Sequence, residues 1–246
     1  MRFETNKGRL KKAFGRNIKM SENNALHDGI ALYQNKDYSA SLAFFLSLPE
    51  NPETDNLETA YYIGLCYAKL ERYSDALLYL ESVVTSGEDA NRVSQCRYLL
   101  ALIYFGIGRK RLAVFELNKL LEAGYKQASV YASLAYIAWQ RNDSEKCLEY
   151  YQKSLDCDPD NLTALNGMGY VLACLNRRLT KALAYCKKAL ELAPRSAACL
   201  DSIGWVYYRL GLTENAGKYL LQAHSINPEN KEITEHLKIL GVAFYD

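Results

Sequence analysis

At 246 residues, 49% of them hydrophobic and 24% charged, the chain has the composition of a folded, soluble protein. Its longest uncharged run, 161–176, contains Asn166, Gly167 and Gly169 and falls short of the roughly 20 residues of a membrane-spanning helix. The net charge of +2 is uneven: residues 1–20 hold seven basic residues against Glu4, and the remainder holds 23 basic against 27 acidic residues.

In chain order, residues 1–20 form a basic arm. Leu10, Phe14 and Ile18 lie on one helical face, with Arg9, Lys12, Arg16 and Lys19 around it. Three roles stay open for it: an N-terminal cap, a disordered tail, or a peripheral contact with an anionic membrane. The arm lacks the apolar stretch of a secretory signal, so a cytoplasmic location is expected, with membrane association through residues 1–20 as the variant.

From residue 21 onward a small residue returns at a nearly fixed interval. Gly29, Gly64, Ala101, Ala135, Gly169 and Gly204 are separated by 35, 37, 34, 34 and 35 positions. A second small residue follows each: Ser41, Ala76, Ala113, Cys147, Ala182 and Ala216. The spacing predicts an all-α solenoid over 21–246, built from six helix pairs at about 22–54, 57–90, 94–126, 128–160, 162–195 and 197–229. In each pair helix A carries the first small residue and helix B the second, so the small residues are expected to face each other.

A large residue four positions later (Phe45, Leu80, Leu117, Tyr151, Cys186, Leu220) is expected to fill the gap to the neighbouring pair. Asp55 with Glu58 reads as a capping box, Gly211 as a helix–helix turn, and Pro159, Pro194 and Pro228 as terminators of helix B. Two irregularities stand out: extra residues at Thr85–Asn91, and one more in the turn near Arg177. Residues 230–244 read as a final amphipathic helix that caps the solenoid, with Ile233, Leu237 and Leu240 inward.

These offsets resemble tetratricopeptide repeats. Leu200, Ile203, Gly204, Tyr207, Ala216, Leu220, Ala223 and Pro228 satisfy nearly every position of the repeat, as do Ala60, Gly64, Tyr67, Ala76 and Leu80. The first repeat departs most, with Asp28 in place of the usual Leu. The resemblance implies a right-handed superhelix whose A helices line a concave groove that holds an extended or helical peptide.

The family's inward offsets select Tyr33, Tyr61, Tyr62, Leu65, Tyr98, Leu102, Phe105, Tyr136, Trp139, Tyr170, Trp205, Tyr208 and Arg209 as candidate groove residues, with Leu26, Ile30, Asn166 and Asp201 beside them. Aromatic rings dominate, which suits an apolar or aromatic-bearing segment. The Lys, Asn and Arg set with which one subclass clamps chaperone tails is replaced here by Leu26, Ile30, Tyr62, Gln95 and Leu99, so that partner is not expected.

Signs of catalysis are lacking. Gly167-Met-Gly169 has Leu172 where a dinucleotide loop needs its third glycine, and no strand precedes it. His27, His224 and His236 fall in separate segments, without a nucleophile or a cysteine pair at ligand spacing, so neither a metal nor a cofactor is expected. The seven cysteines form no CxxC and read as reduced core residues. Basic turns at Arg109–Arg111 and at Arg177, Arg178 and Lys181 read as solvated charge, which argues against nucleic acid as the partner. The reading is a non-enzymatic scaffold for another protein or peptide. A membrane-surface assembly factor and a nucleic-acid binder, both led by the arm, are the alternatives.

Overall fold

A computed structural model describes residues 26–48, 56–87 and 89–242, and these residues form thirteen helices and no strand. They are α1 (26–34), α2 (Tyr38–Ser47), α3 (Asn56–Lys69), α4 (Tyr73–Ser86), α5 (Ala90–Gly106), α6 (Lys110–Glu122) and α7 (Ala128–Trp139). Then follow α8 (Ser144–Cys157), α9 (Leu162–Cys174), α10 (Leu179–Leu192), α11 (Ala197–Arg209), α12 (Thr213–Ile226) and α13 (Lys231–Leu240). The basic arm, Pro49 and Asp55 lie outside the described residues.

The helix boundaries follow from local chemistry. Side chains of Asp37, Asp89, Asp143, Asn161, Ser196 and Asn230 accept from free amides at the starts of α2, α5, α8, α9, α11 and α13. Helices α8, α10 and α12 stop one residue short of the position before Pro159, Pro194 and Pro228. There Asp158, Ala193 and Asn227 leave the helical region, at φ −147°, −138° and −138°, since the proline ring disfavours a helical residue before it.

Each A–B turn holds a left-handed residue seven positions after the first small one: Lys36, Glu71, Gly108, Asn142, Asn176 and Gly211. Only two of these are glycine, so Lys36 and Glu71 carry a Cβ in a conformation that disfavours it. The inserted residue in the fifth turn appears as a second left-handed residue, Arg178, at φ 46°. The irregularity before α5 falls where Gly87, at φ 67°, ends α4 and Asp89 caps α5.

The chain divides into two compact units, one ending at Lys119 and one beginning at Leu120. In the first, α2 packs on α3, α3 on α4 and α4 on α5. In the second, α7 to α13 pack each on the next, and the A helices also touch directly, α7 with α9 and α9 with α11.

Packing across the pairs refines the expected small-on-small contact. Ser41 Oγ does meet its partner, donating to the Gly29 carbonyl at 2.9 Å. Yet the large residue four positions on also presses upon the glycine of its own pair. A Cβ at Gly64 would lie 2.8 Å from Leu80, at Gly169 2.3 Å from Cys186 Sγ, and at Gly204 2.8 Å from Leu220. The expected contact with the next pair is made as well: the Tyr151 ring meets Gly167, Phe45 stacks on Tyr62, and Leu220 packs with Ile233 and Leu237.

Five cysteines (66, 96, 147, 186 and 199) are buried core residues, while Cys157 is exposed and Cys174 half-buried. The terminal helix is shorter than expected. It ends at Leu240 with Gly241 left-handed, and its buried face comprises Ile233, His236 and Leu237.

Candidate functional site

The A helices of the second unit frame a cavity of about 420 Å³. Tyr136, Trp139 and Gln140 come from the end of α7, Asn166, Gly167 and Tyr170 from α9, Asp201 and Ser202 from α11, and Glu232 and Ile233 from the start of α13. Tyr136 is 45% exposed, and Trp139 stands edge-on to Tyr170 at 6.3 Å. Tyr151 joins the lining from α8 although it is otherwise buried. Gly167 permits this, since a Cβ there would lie 2.2 Å from the Tyr151 ring. Gly167 and Gly169 are thus both packing glycines.

A polar network supports the rings. The Tyr170 hydroxyl donates to the Glu232 carboxylate, and burial together with that bond raises the phenol pKa. His236 Nδ1 lies 2.8 Å from Asp201 Oδ1, both side chains being 7% exposed. Burial raises the Asp201 pKa above the usual carboxylate value, and the hydrogen bond to His236 opposes that rise. The His236 ring stacks on Trp205 at 4.2 Å. Asn166 Oδ1 is buried without a hydrogen-bond partner.

This arrangement corrects one expectation. Trp205 does not line open surface: His236 covers one side, Tyr208 stacks at 5.0 Å, and 8% of the residue remains exposed. Its indole N–H has no oxygen or nitrogen acceptor and lies beside the Cys174 thiol. Arg209 sits over the same ring at 6.0 Å, so Trp205, Tyr208 and Arg209 form a stack beside the cavity.

In the first unit Tyr33, Tyr61 and Tyr62 come together. Tyr62 stacks on Phe45 at 5.4 Å and meets the edges of Tyr33 and Tyr61 at 5.9 and 5.2 Å. The Tyr61 hydroxyl donates to Gln95, and burial pushes its pKa up to about 12. On α5 Leu102 is 45% exposed, while Tyr98 and Phe105 are half-buried, as is Leu65 on α3.

Models of the tetratricopeptide repeat match residues 128–161, 148–197 and 197–230. Residues 128–230 are therefore tetratricopeptide repeats. The chain is 36% identical over 121 residues to the TPR repeat-containing protein PA4667 of Pseudomonas aeruginosa, covering 48% of this chain and 20% of the relative. It is 22% identical over 225 residues to the TPR repeat-containing protein MJ1428 of Methanocaldococcus jannaschii, covering 87% of this chain and 38% of that one. The chain therefore spans less than two fifths of the length of either relative. The structure of the APC/C hetero-tetramer Cut9–Hcn1 shares the fold, with a TM-score of 0.71 at 15% identity over 89% of this chain and 42% of the matched one.

Tetratricopeptide repeats are in general interaction modules rather than enzymes. Among the described residues no helix is long and apolar enough to cross a membrane, and no three His, Cys, Asp or Glu side chains are grouped to hold a metal. Arg177 of the fifth turn pairs with Glu145 at 2.6 Å.

Of the polar residues in or beside the cavity, Glu232 and His236 are not among the inward offsets of the repeat. Asp201 stood among the inward offsets, but Glu232 and His236 read as features of a capping helix. Their partners Tyr170 and Asp201 lie 62 and 35 residues away, beyond the reach of any helical periodicity.

Proposed function

We propose that this chain is a non-enzymatic scaffold that binds a segment of another protein on the A-helix face of its second unit. Apolar or aromatic surface of that segment lies on Tyr136, Trp139 and Tyr170. The observation that carries this reading is the cavity of about 420 Å³ between α7, α9, α11 and α13, walled by rings and furnished with a few convergent polar groups. That combination is what a peptide-anchoring pocket requires. Rigid aromatic side chains bury large area at small entropic cost, so they concentrate binding energy. Tyr33, Tyr61, Tyr62, Leu65, Tyr98, Leu102 and Phe105 provide the corresponding face of the first unit.

The test is selection of short random peptides on the full chain. Selected peptides should lose at least about tenfold in affinity with Trp139→Ala or Tyr136→Ala, and little with Leu221→Ala, an exposed residue of α12 away from the cavity. Circular dichroism establishes that each variant is folded. Selected peptides that bind folded ring variants as tightly as wild type would overturn the assignment.

A further inference from the structure

Among the described residues, Asp201 and Glu232 are the carboxyl side chains that line the cavity, and no Lys, Arg or His lines it. Three helix starts lie at its edge, and at each the capping side chain takes up one or two of the amides. Asn161 accepts from Ala164, Ser196 from Cys199, and Asn230 from Glu232 and Ile233. An anion in the cavity would therefore meet two carboxyl side chains and no basic one. Asn166 Oδ1 adds a buried acceptor that lacks a donor, an arrangement that costs free energy until an N–H reaches it. The walls add the negative faces of Tyr136, Trp139 and Tyr170, which attract a cation.

We propose that this cavity takes the side chain of a Lys or Arg residue in the bound segment. The proposal rests on the reading above, that this face is the binding surface, and adds what the cavity selects. Glu232 is exposed at the rim, and its carboxylate is held by the Tyr170 hydroxyl, so an incoming ammonium or guanidinium meets a positioned partner. Asp201 lies deeper, one oxygen engaged by His236. The aliphatic stem of the Lys or Arg packs along the rings while its head reaches the carboxylates. An acidic side chain would be repelled, and a purely apolar one would leave Asn166 Oδ1 without a donor and Glu232 without an opposite charge.

The experiment uses the full chain and the same random peptides, keeping those whose binding depends on Trp139. These should be enriched in Lys or Arg at one position. Exchanging that residue for norleucine or citrulline should weaken binding about tenfold or more, and Glu232→Gln should do the same. Glu232→Gln should have little further effect on the exchanged peptide. Because Glu232 is exposed, the variant is expected to keep the wild-type melting temperature; Asp201→Asn, checked for folding in the same way, provides a second reading of the carboxylate effect. Trp139-dependent peptides without basic enrichment, or peptides insensitive to Glu232→Gln, overturn the cation proposal and leave the binding face standing. If no selected peptide depends on Trp139 or Tyr136, the binding face itself fails, and the cation site with it.

Discussion

Gly204→Ala isolates the contact on which each helix pair depends. A Cβ at this position of α11 would lie 2.8 Å from Leu220 Cγ, 3.0 Å from Cδ2 and 3.2 Å from the Leu220 amide nitrogen. Comfortable carbon–carbon contact needs about 3.5–4.0 Å. Leu220 is fully buried and packs with Leu200, Ala223, Ile233 and Leu237, so it has nowhere to retreat. Overpacking of this kind costs about 1–3 kcal/mol, set against about 1 kcal/mol of helix propensity gained when glycine becomes alanine. Gly217→Ala is the control, because in α12 the added Cβ would meet only Leu240, at an ordinary 3.5 Å. It should stabilise by about 0.5–1 kcal/mol, and the difference between the two variants gives the packing contribution.

Leu220→Ala should cost about 2–5 kcal/mol on its own. In the double variant the atoms nearest the new methyl are gone, so the combined loss should fall short of the sum by about 1 kcal/mol or more. Urea and thermal unfolding followed by circular dichroism measure all four proteins. About 2–4 °C of melting temperature is expected per kcal/mol for a chain near this size. If Gly204→Ala proves as stable as Gly217→Ala, or the two effects at 204 and 220 add within about 0.5 kcal/mol, the close approach of α11 and α12 does not limit stability.

The Asp201 carboxyl holds its proton more tightly in the folded chain than at its ordinary value of 3.8, so its contribution to stability declines as pH rises from about 3.8 through the folded pKa. The stability of wild type relative to Asp201→Asn should therefore fall across that range, and a flat difference would refute the assignment. Glu71, left-handed at φ 59°, should tolerate glycine with a gain of about 0.5–1 kcal/mol, since relief of the Cβ clash outweighs the added unfolded-state entropy; an unchanged or lowered melting temperature would show the turn is not strained. Among the thiols of the described residues, iodoacetamide should modify exposed Cys157 first. Cys96 and Cys147, whose pKa values burial pushes up to about 12, should stay unmodified in the native chain. Peptide mapping that finds either labelled as fast as Cys157 would contradict the packing of α5 and α8.

The class of fold is legible in the order of the residues, because each repeat is a local object. The 34- to 37-residue interval, the small residues of helices A and B, and the prolines after helix B all act within one pair or on the next, and 3.6-residue periodicity reports such contacts directly. Turn chemistry was legible only where glycine marked it: Lys36 and Glu71 occupy the same left-handed position as Gly211 without any compositional sign, since the packing of the flanking helices imposes the turn. The candidate site belongs to tertiary structure. Trp205 and Tyr136 stand at equivalent inward offsets, yet α13 lays His236 over the first, while the second stays 45% exposed. The acidic character of the cavity arises the same way, from Asp201 on α11 and Glu232 on α13 brought to one space. A repeat pattern states which face a residue is on. It does not state what a later helix places against that face, and here that helix decided both which ring is covered and what charge the cavity carries.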